Sequence, residues 1–474
     1  MSQRTPDPNI EIPAVPTLEK VPDRLGWHTE ERQYELITPL FGGGVAKHTA
    51  DPVTVVRGAS IRGQLRFWWR ACRAGRYGDD LLRLKQAEDL LWGAASAKGK
   101  PYPARVQVRV VCTNPGRAAH PYEVGRGKVD ARGVARPKLE TRDEVAPAYA
   151  AFPLQPTELE MRQGGIGMPT AAVQTGVRFQ LTLSFATDWP PDSVELFRNS
   201  EGSSQAGATP AEEVAAALWA WETFGGVGGR TRRGFGAVRR LNDSAALPST
   251  ASDAFSWLRR NLETHVLRGK GHPQVPHLAQ KGVWQPTDPL PRPTDLIRFV
   301  VIQGGWRRPH DAWKYLIDRL RSFRQQRTKG VTGRSLWPEA DSIRAATGYA
   351  AAAFQQAVVT TRKYPRAALG LPIVFHFKDQ REGDPPDVTL QRNVQNHERL
   401  ASPVIMRPLA CADGTVVALV AALRTPSLTA EMVELSWSGQ TRKVSPTVEA
   451  AEATALEPLH GQPDVVQAFL RTFK

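Results

Sequence analysis

Between Arg57 and Arg76 the chain carries six arginines (57, 62, 66, 70, 73 and 76) and no acidic residue. Arg62, Arg66, Arg70 and Arg73 follow at spacings of four, four and three, so they share one face of a helix. Ile61, Leu65, Trp68 or Trp69, and Cys72 fall on the opposite, apolar face. The segment therefore reads as a helix that buries one stripe and presents a column of guanidiniums on the other. Like charges at that spacing repel, so the column needs acids from elsewhere in the fold, or phosphate, against it. Arginine suits phosphate because its planar fork donates bidentately and stays charged. The plain alternative is a solvated face with intramolecular ion pairs. The absence of acids along the segment favours a polyanion. Trp68 is a candidate for stacking on a base, and Trp69 is assigned to the core.

Composition points the same way. The 474 residues hold 62 Lys and Arg against 47 Asp and Glu, a formal charge of +15. Fixed positive charge attracts phosphate and releases its counterions. It does not separate RNA from DNA, and it says nothing of the fold. Three scattered cysteines (Cys72, Cys112, Cys411) exclude a cysteine-based zinc module and fit a reducing, cytoplasmic setting. The start, MSQRTPDPNIEIPAVP, lacks the apolar stretch of an export signal, and no long apolar run follows, so no membrane association is expected.

Along the chain, residues 1–32 read as a proline-bearing, flexible arm. YELITPLF reads as a strand ending at Gly42-Gly43-Gly44, and Ser60 stands where a helix N-cap belongs. Residues 81–92 have helical periodicity, 104–112 and 177–186 alternate like strands, and 211–224 is an alanine-rich helix with acids in its first turn. FGAVRRL returns as a strand. The order β-α-β-β-α-β predicts a ferredoxin-like (RRM-like) first domain at 33–242, with 114–170 an inserted loop or lobe. Residues 243–293 turn to Pro, His and Ser and read as a linker or interdomain excursion. A second ferredoxin-like domain is expected at 294–474. Its strands lie at 296–305, 368–377, 402–409 and 416–423, and its helix presents Ala312, Leu316, Leu320 and Phe323 on one face. The predicted class is α+β, two related modules with insertions.

The second motif is GGVGGRTRRGFG (225–236), with six glycines and three arginines in twelve residues. Glycine lets a backbone approach a ligand closely, and successive N–H groups can cradle phosphates. Arg230 stands where a Walker A loop needs glycine, and Thr231 where a Rossmann fingerprint needs its third glycine. The loop also follows a helix and precedes a strand, the reverse of both nucleotide motifs. A tight connection accounts for two glycines. Six of them, with Arg230, Arg232 and Arg233, favour contact with an RNA backbone.

At this point a family resemblance appears. A glycine-rich, arginine-bearing loop late in a ferredoxin-like domain resembles the signature of the RAMP superfamily of CRISPR proteins. ITPLFGGG followed by SIRGQLRFWWR is similar to the opening motif of the first RAMP subunit of type III-B CRISPR (Cmr) effector complexes. FGGVGGRTRRGFG is similar to that subunit's glycine loop, and GRSLWPEADSIR, LGLPIVFHF and ERLASPVIMRPL to its C-terminal half. The resemblance implies two RAMP domains and a place at the head of the complex, near the 3′ part of the guide RNA. Guide RNA, complementary target RNA and neighbouring RAMP subunits would be the partners. Carried onto this sequence, the implied RNA contacts are Lys47, His48, Arg57, Ser60, Arg62, Arg66, Trp68 and Arg70. From the loop come Gly226, Gly228, Gly229, Arg230, Arg232 and Arg233. No catalytic residue, metal or cofactor is implied, and the subunit is expected not to be an enzyme.

The rival class is a nuclease. Asp51, in the loop after the first strand, is its candidate cutting residue, with His48 as general acid or base. No clustered carboxylates for two metals and no HExxH pattern support it. His272 and His277 lack a third ligand and read as surface residues. No helix-turn-helix or zinc-finger spacing supports a DNA-binding reading.

Overall fold

In the computed structural model of the chain, the residues described are 26–42, 44, 50–51, 53–77, 80–97, 100–129, 133–197, 208–267, 296–327, 334–356, 359, 361–394, 398–423 and 428–473. Lys47, His48, His272, His277 and the arm up to residue 25 lie outside them.

The first unit is built on strands β1 (Trp27–Leu36), β2 (Val106–Asn114), β5 (Arg178–Ala186) and β6 (Val238–Arg240). Between β2 and β5 the chain forms the hairpin β3 (Tyr122–Val129) and β4 (Ala135–Thr141). The main sheet has the order β6-β1-β5-β2, and every adjacent pair is antiparallel. β5 alternates strictly, with Phe179, Leu181 and Leu183 buried and the residues between them half-buried, as a sheet covered on one face should. Helices α1 (Gly58–Arg73) and α4 (Pro210–Phe224) pack together on that face. Thr209 starts α4: its Oγ1 accepts from Glu212 N at 3.3 Å, and Glu212 Oε2 accepts from Thr209 N at 3.0 Å. This reciprocal cap, with Pro210 in the first turn, explains where the helix begins. α2 (Leu81–Trp92) lies against α1.

Two expectations change here. β1 begins at Trp27, so residues 27–32, read as part of the arm, pair with β5 instead. The stretch is polar because most of its side chains stay accessible. The N-cap of α1 is Arg57, and Ser60 lies inside the first turn. Of the two readings of 114–170, loop or lobe, the structure has the folded lobe: besides its hairpin it holds α3 (Ala148–Ala151), whose Ala150 and Ala151 join a core shared with Phe235 and Trp313.

Within 243–293, read as a linker or interdomain excursion, the first part is folded onto the first unit. α5 (Ala254–Leu262) buries Trp257, Leu258 and Leu262 in the first unit's core. The second unit contributes β7 (Leu296–Trp306), α6 (Pro309–Arg324), α7 (Glu339–Thr347), β10 (Val404–Ala410), β11 (Val416–Leu423) and, at its end, α8 (Val465–Arg471). Its sheet has the order β7-β11-β10. The intervening and following chain makes a separate meander of β8 (Ile373–Phe375), β9 (Val388–Arg392), β12 (Val433–Trp437) and β13 (Gln440–Lys443) around its own core. The strand read at 368–377 is only three residues long, preceded by a 3-10 turn.

β10 and β11 are buried at every position, and the reason joins the two halves. Ile405, Leu409, Val417, Leu419 and Ala421 belong to the first unit's core. Val404, Met406, Ala418, Val420 and Ala422 belong to the core under α6. A sheet covered on both faces reads as an unbroken apolar run. Each fully buried branched side chain contributes roughly 1.5–3 kcal/mol, so the halves are welded by burial. The α+β class is as expected.

Candidate nucleic-acid interface

The arginine column of α1 meets its acids in three dimensions. Arg66 Nε lies 2.8 Å from Glu88 Oε1, Arg70 pairs with the same oxygen, and Arg66 is 3.9 Å from Asp89; both acids are on α2. Arg73 Nε and Arg76 Nη1 stand 2.9 and 3.1 Å from Glu213 Oε1 in the first turn of α4. Arg62 donates to the Trp92 carbonyl. Burial, and then Arg66, push its pKa down from the usual guanidinium value. The guanidiniums are thus not unpaired, which corrects the expectation drawn from the acid-free stretch. The acids come from helices distant in sequence. Arg66 and Arg70 still leave 29% and 30% of their side chains accessible, enough for a second contact.

Trp68 is not available to stack a base. It is 3% exposed, packed edge-on against Phe67 and tilted against Phe224. A Cβ on Gly225 would fall 2.6 Å from its indole nitrogen. Trp69, fully buried, donates from Nε1 to Glu213 at 2.5 Å, as a core residue should.

The glycine loop packs against protein on both sides. Gly229 N donates to the Phe41 carbonyl and Gly236 N to that of Pro39, both at 2.8 Å, and Thr38 Oγ1 donates to the Gly234 carbonyl at 2.6 Å. Added Cβ atoms at Gly226, Gly228, Gly234 and Gly236 would stand 2.7, 2.7, 2.4 and 1.9 Å from neighbouring atoms, and at Gly229 3.1 Å from Phe41. Every glycine of the loop therefore has a packing reason, more than the two that a tight turn seemed to need. Beyond this contact runs an open groove of about 300 Å³, lined by Ser60, Ile61, Gly63 and Gln64 of α1 and by Val227 and Gly228 of the loop. The first turn of α1 holds no acid and no side-chain cap, so the helix's positive end beside the groove is not offset locally.

The loop's arginines point into the junction between units. Arg230, at φ 54°, donates from Nε to the Ala150 carbonyl at 2.8 Å and lies over the Phe41 ring. Arg232 donates to the Ser402 carbonyl and lies over Phe67. Arg233 reaches the Val404 carbonyl at 3.4 Å. Burial, then the like charges of Arg324 and Arg230, push Arg233 down to about 9. Among the described residues no carboxylate pairs with any of the three.

Asp51 Oδ1 accepts from Val53 N and Thr54 N at 2.9 and 2.8 Å, and these bonds hold its carboxyl below the usual range. It closes a turn. Among the described residues no three His, Cys, Asp or Glu side chains group to hold a metal, and no helix is long and apolar enough to cross a membrane. The segment 334–344 is an internal knot. Arg334 and Arg344 each lie 3.1 Å from Asp341 Oδ1, Arg344 is 2.8 Å from Asp384, and both guanidiniums stack on Phe354.

Residues 33–239, which hold both basic motifs, match the sequence model of the RAMP superfamily. Over that stretch the chain resembles the RAMP superfamily. A curated relative, the CRISPR system Cmr subunit Cmr1-2 of Pyrococcus furiosus, is 31% identical over 68 residues, 14% of this chain. That alignment spans 34% of the relative's length. Among solved structures, Cmr1 from Pyrococcus furiosus in its apo form is 15% identical with a TM-score of 0.42, over 90% of this chain and 96% of that one. A chain of the type III-B Cmr-beta complex bound to cognate target RNA and AMPPnP, in the presence of ssDNA, is 11% identical with a TM-score of 0.45, over 94% and 99%. The matched stretch ends just after the glycine loop, so α1 and the loop, which line the groove, both lie within it.

Proposed function

We propose that the chain is a non-catalytic RNA-binding subunit of a type III-B CRISPR (Cmr) ribonucleoprotein. In this reading it helps hold the 3′ part of the guide RNA and the target RNA at the head of the complex, beside other RAMP subunits in the cytoplasm. One observation carries the reading: α1 and the glycine loop, far apart in sequence, line a single groove through Ser60, Ile61, Gly63, Gln64, Val227 and Gly228. A phosphate backbone in that groove would meet the positive end of α1 and the backbone of the loop, with the partly accessible Arg66 and Arg70 further along the same helix. Lys47, His48, Arg57, Ser60 and Arg62 extend the proposed contact surface, while Trp68 leaves it. Sequence specificity would come from pairing between guide and target, the protein gripping backbone and shape. The domain division that goes with it is a first ferredoxin-like domain at 33–242 carrying the 114–170 insert, and a second at 294–474.

The test is RNA binding and cleavage by the purified chain with Mg²⁺ or Mn²⁺. Gln64→Glu, which puts an anion in the groove without breaking an ion pair, is expected to weaken binding to all sequences alike. Asp51→Ala is expected to leave binding unchanged, with no cleavage in either protein. Cleavage by the wild type that Asp51→Ala abolishes would replace this reading with a nuclease.

A further inference from the structure

The second sheet repeats the first with one strand fewer. In the first unit the order β6-β1-β5-β2 places β6, which follows α4, antiparallel beside β1. In the second unit β7, β10 and β11 stand as β1, β2 and β5 do, in the order β7-β11-β10. β7 pairs antiparallel with β11, and among the described residues no strand lies along its other side. Every second N–H and carbonyl of β7 therefore points away from β11.

The other edges of the three larger sheets are short, charged or covered, the usual protections against unwanted pairing. β6 has three residues and ends in Arg239 and Arg240, and β2 exposes Gln107 and Arg109. β8 has three residues, and β13 ends in Arg442 and Lys443 with every residue exposed. At the start of β10, Arg232 and Arg233 of the glycine loop donate to the Ser402 and Val404 carbonyls. β7 has none of these devices. Its stretch from Arg298 to Ile302 pairs with β11 without interruption. Phe299 and Val301 face the first unit's core, and Val300 and Ile302 face the core under α6. Val300, Val301 and Ile302 nevertheless stay half-buried, whereas β10 and β11 are buried at every position. The ring of Phe255 on α5, 42% exposed, stands 5.3 Å from that of Phe299. A strand laid along β7 would extend the ladder and cover both layers.

We propose that β7 is a self-association edge, at which two copies of this chain pair their β7 strands antiparallel and join their sheets into one. Pairing centred on Val300 keeps each core on its own side of the joined sheet and sets Phe299 against Val301. Two features favour a second copy over a foreign strand. The occupant must be apolar on both faces, as Phe299–Ile302 is. It must also bring no like charge against Arg298, the one charged residue of β7. Arg298 Nη1 is 2.7 Å from Asp464 Oδ2 of its own chain, and in this register it falls opposite Ile302. The inference does not depend on the RNA-binding reading.

Sedimentation velocity of the full chain from roughly 1 to 100 μM tests this, with hydrogen exchange at β7 as a second readout. The wild type is expected to dimerise as its concentration rises, its β7 amides gaining protection in step. Gln303→Lys and Phe255→Lys, both at exposed residues, should weaken the dimer about tenfold or more. Val374→Lys, at a half-exposed residue of the edge strand β8, should leave it unchanged. A monomer at every concentration overturns the proposal. If its β7 amides are already protected, the chain's own residues cover the edge. If they exchange freely, the edge is left to a strand of another protein. A dimer that resists both lysine variants, or that Val374→Lys disrupts equally, also overturns it, because the contact then lies elsewhere. Should one of the two variants not fold, the other decides.

Discussion

Glu213 is a fully buried carboxylate with three donors on it: Trp69 at 2.5 Å, Arg73 at 2.9 Å and Arg76 at 3.1 Å. Burial alone would raise its pKa, but the two guanidiniums and the indole outweigh that and hold it below the usual 4.5. A carboxyl whose folded pKa is depressed stabilises the fold fully above its unfolded value, and the stabilisation fades as pH falls through the folded value. Glu213→Gln strands two buried cations and is expected to cost about 3–5 kcal/mol at neutral pH. Denaturant unfolding from roughly pH 7 down to pH 3 should also show a shallower acid loss in the variant than in the wild type. An unchanged acid slope would mean that another carboxyl controls it. The sequence showed Arg73 and Arg76 but not this partner, which lies far along the chain.

The glycine loop shows the same division at the level of an element. Its composition announces close approach, and the structure shows that most of that approach is to Leu40, Phe41, Val227 and Trp313. Gly236 has φ +61°, and a Cβ there would stand 1.9 Å from the Val227 carbonyl oxygen. Gly236→Ala is therefore expected to lose roughly 2–4 kcal/mol, the sum of a disfavoured backbone conformation and overpacking. Urea titration followed by tryptophan fluorescence measures it; a cost under about 1 kcal/mol would show that the loop relaxes. Arg230, Arg232 and Arg233 were legible as cations. That carbonyls of Ala150, Ser402 and Val404 receive them was not, because those carbonyls come from an insert and from the other half of the chain.

For the whole molecule, one buried arginine stitches the halves together. Arg407 on β10 donates to the carbonyls of Glu222, Gly225 and Val238, each at 2.8 Å. Glu222 lies in the last turn of α4 and Gly225 is its C-cap, so a cation from the second unit satisfies helix-end carbonyls of the first. Burial pushes this guanidinium down to about 9, and three charge-assisted bonds outweigh that cost. Arg407→Met leaves those carbonyls unsatisfied. Unfolding by calorimetry, expected as one transition in the wild type, should broaden or split as the units uncouple. A single transition at the wild-type temperature would show that the shared core suffices without it.

Local periodicity determined much of this protein by itself. The apolar stripes of α1 and α6, the acid-led start of α4, the alternation of β5 and the helix-then-strand setting of the glycine loop are short-range patterns, and each survives in the structure. The net charge and the two basic motifs likewise pointed to a polyanion before any coordinate was considered. Tertiary structure alone decided the pairing of charges, the burial of Trp68, the folding of the 114–170 lobe, and the sharing of β10 and β11 between two cores. Ion pairs and burial depend on which segments meet, and contacts between distant segments leave no mark on local spacing.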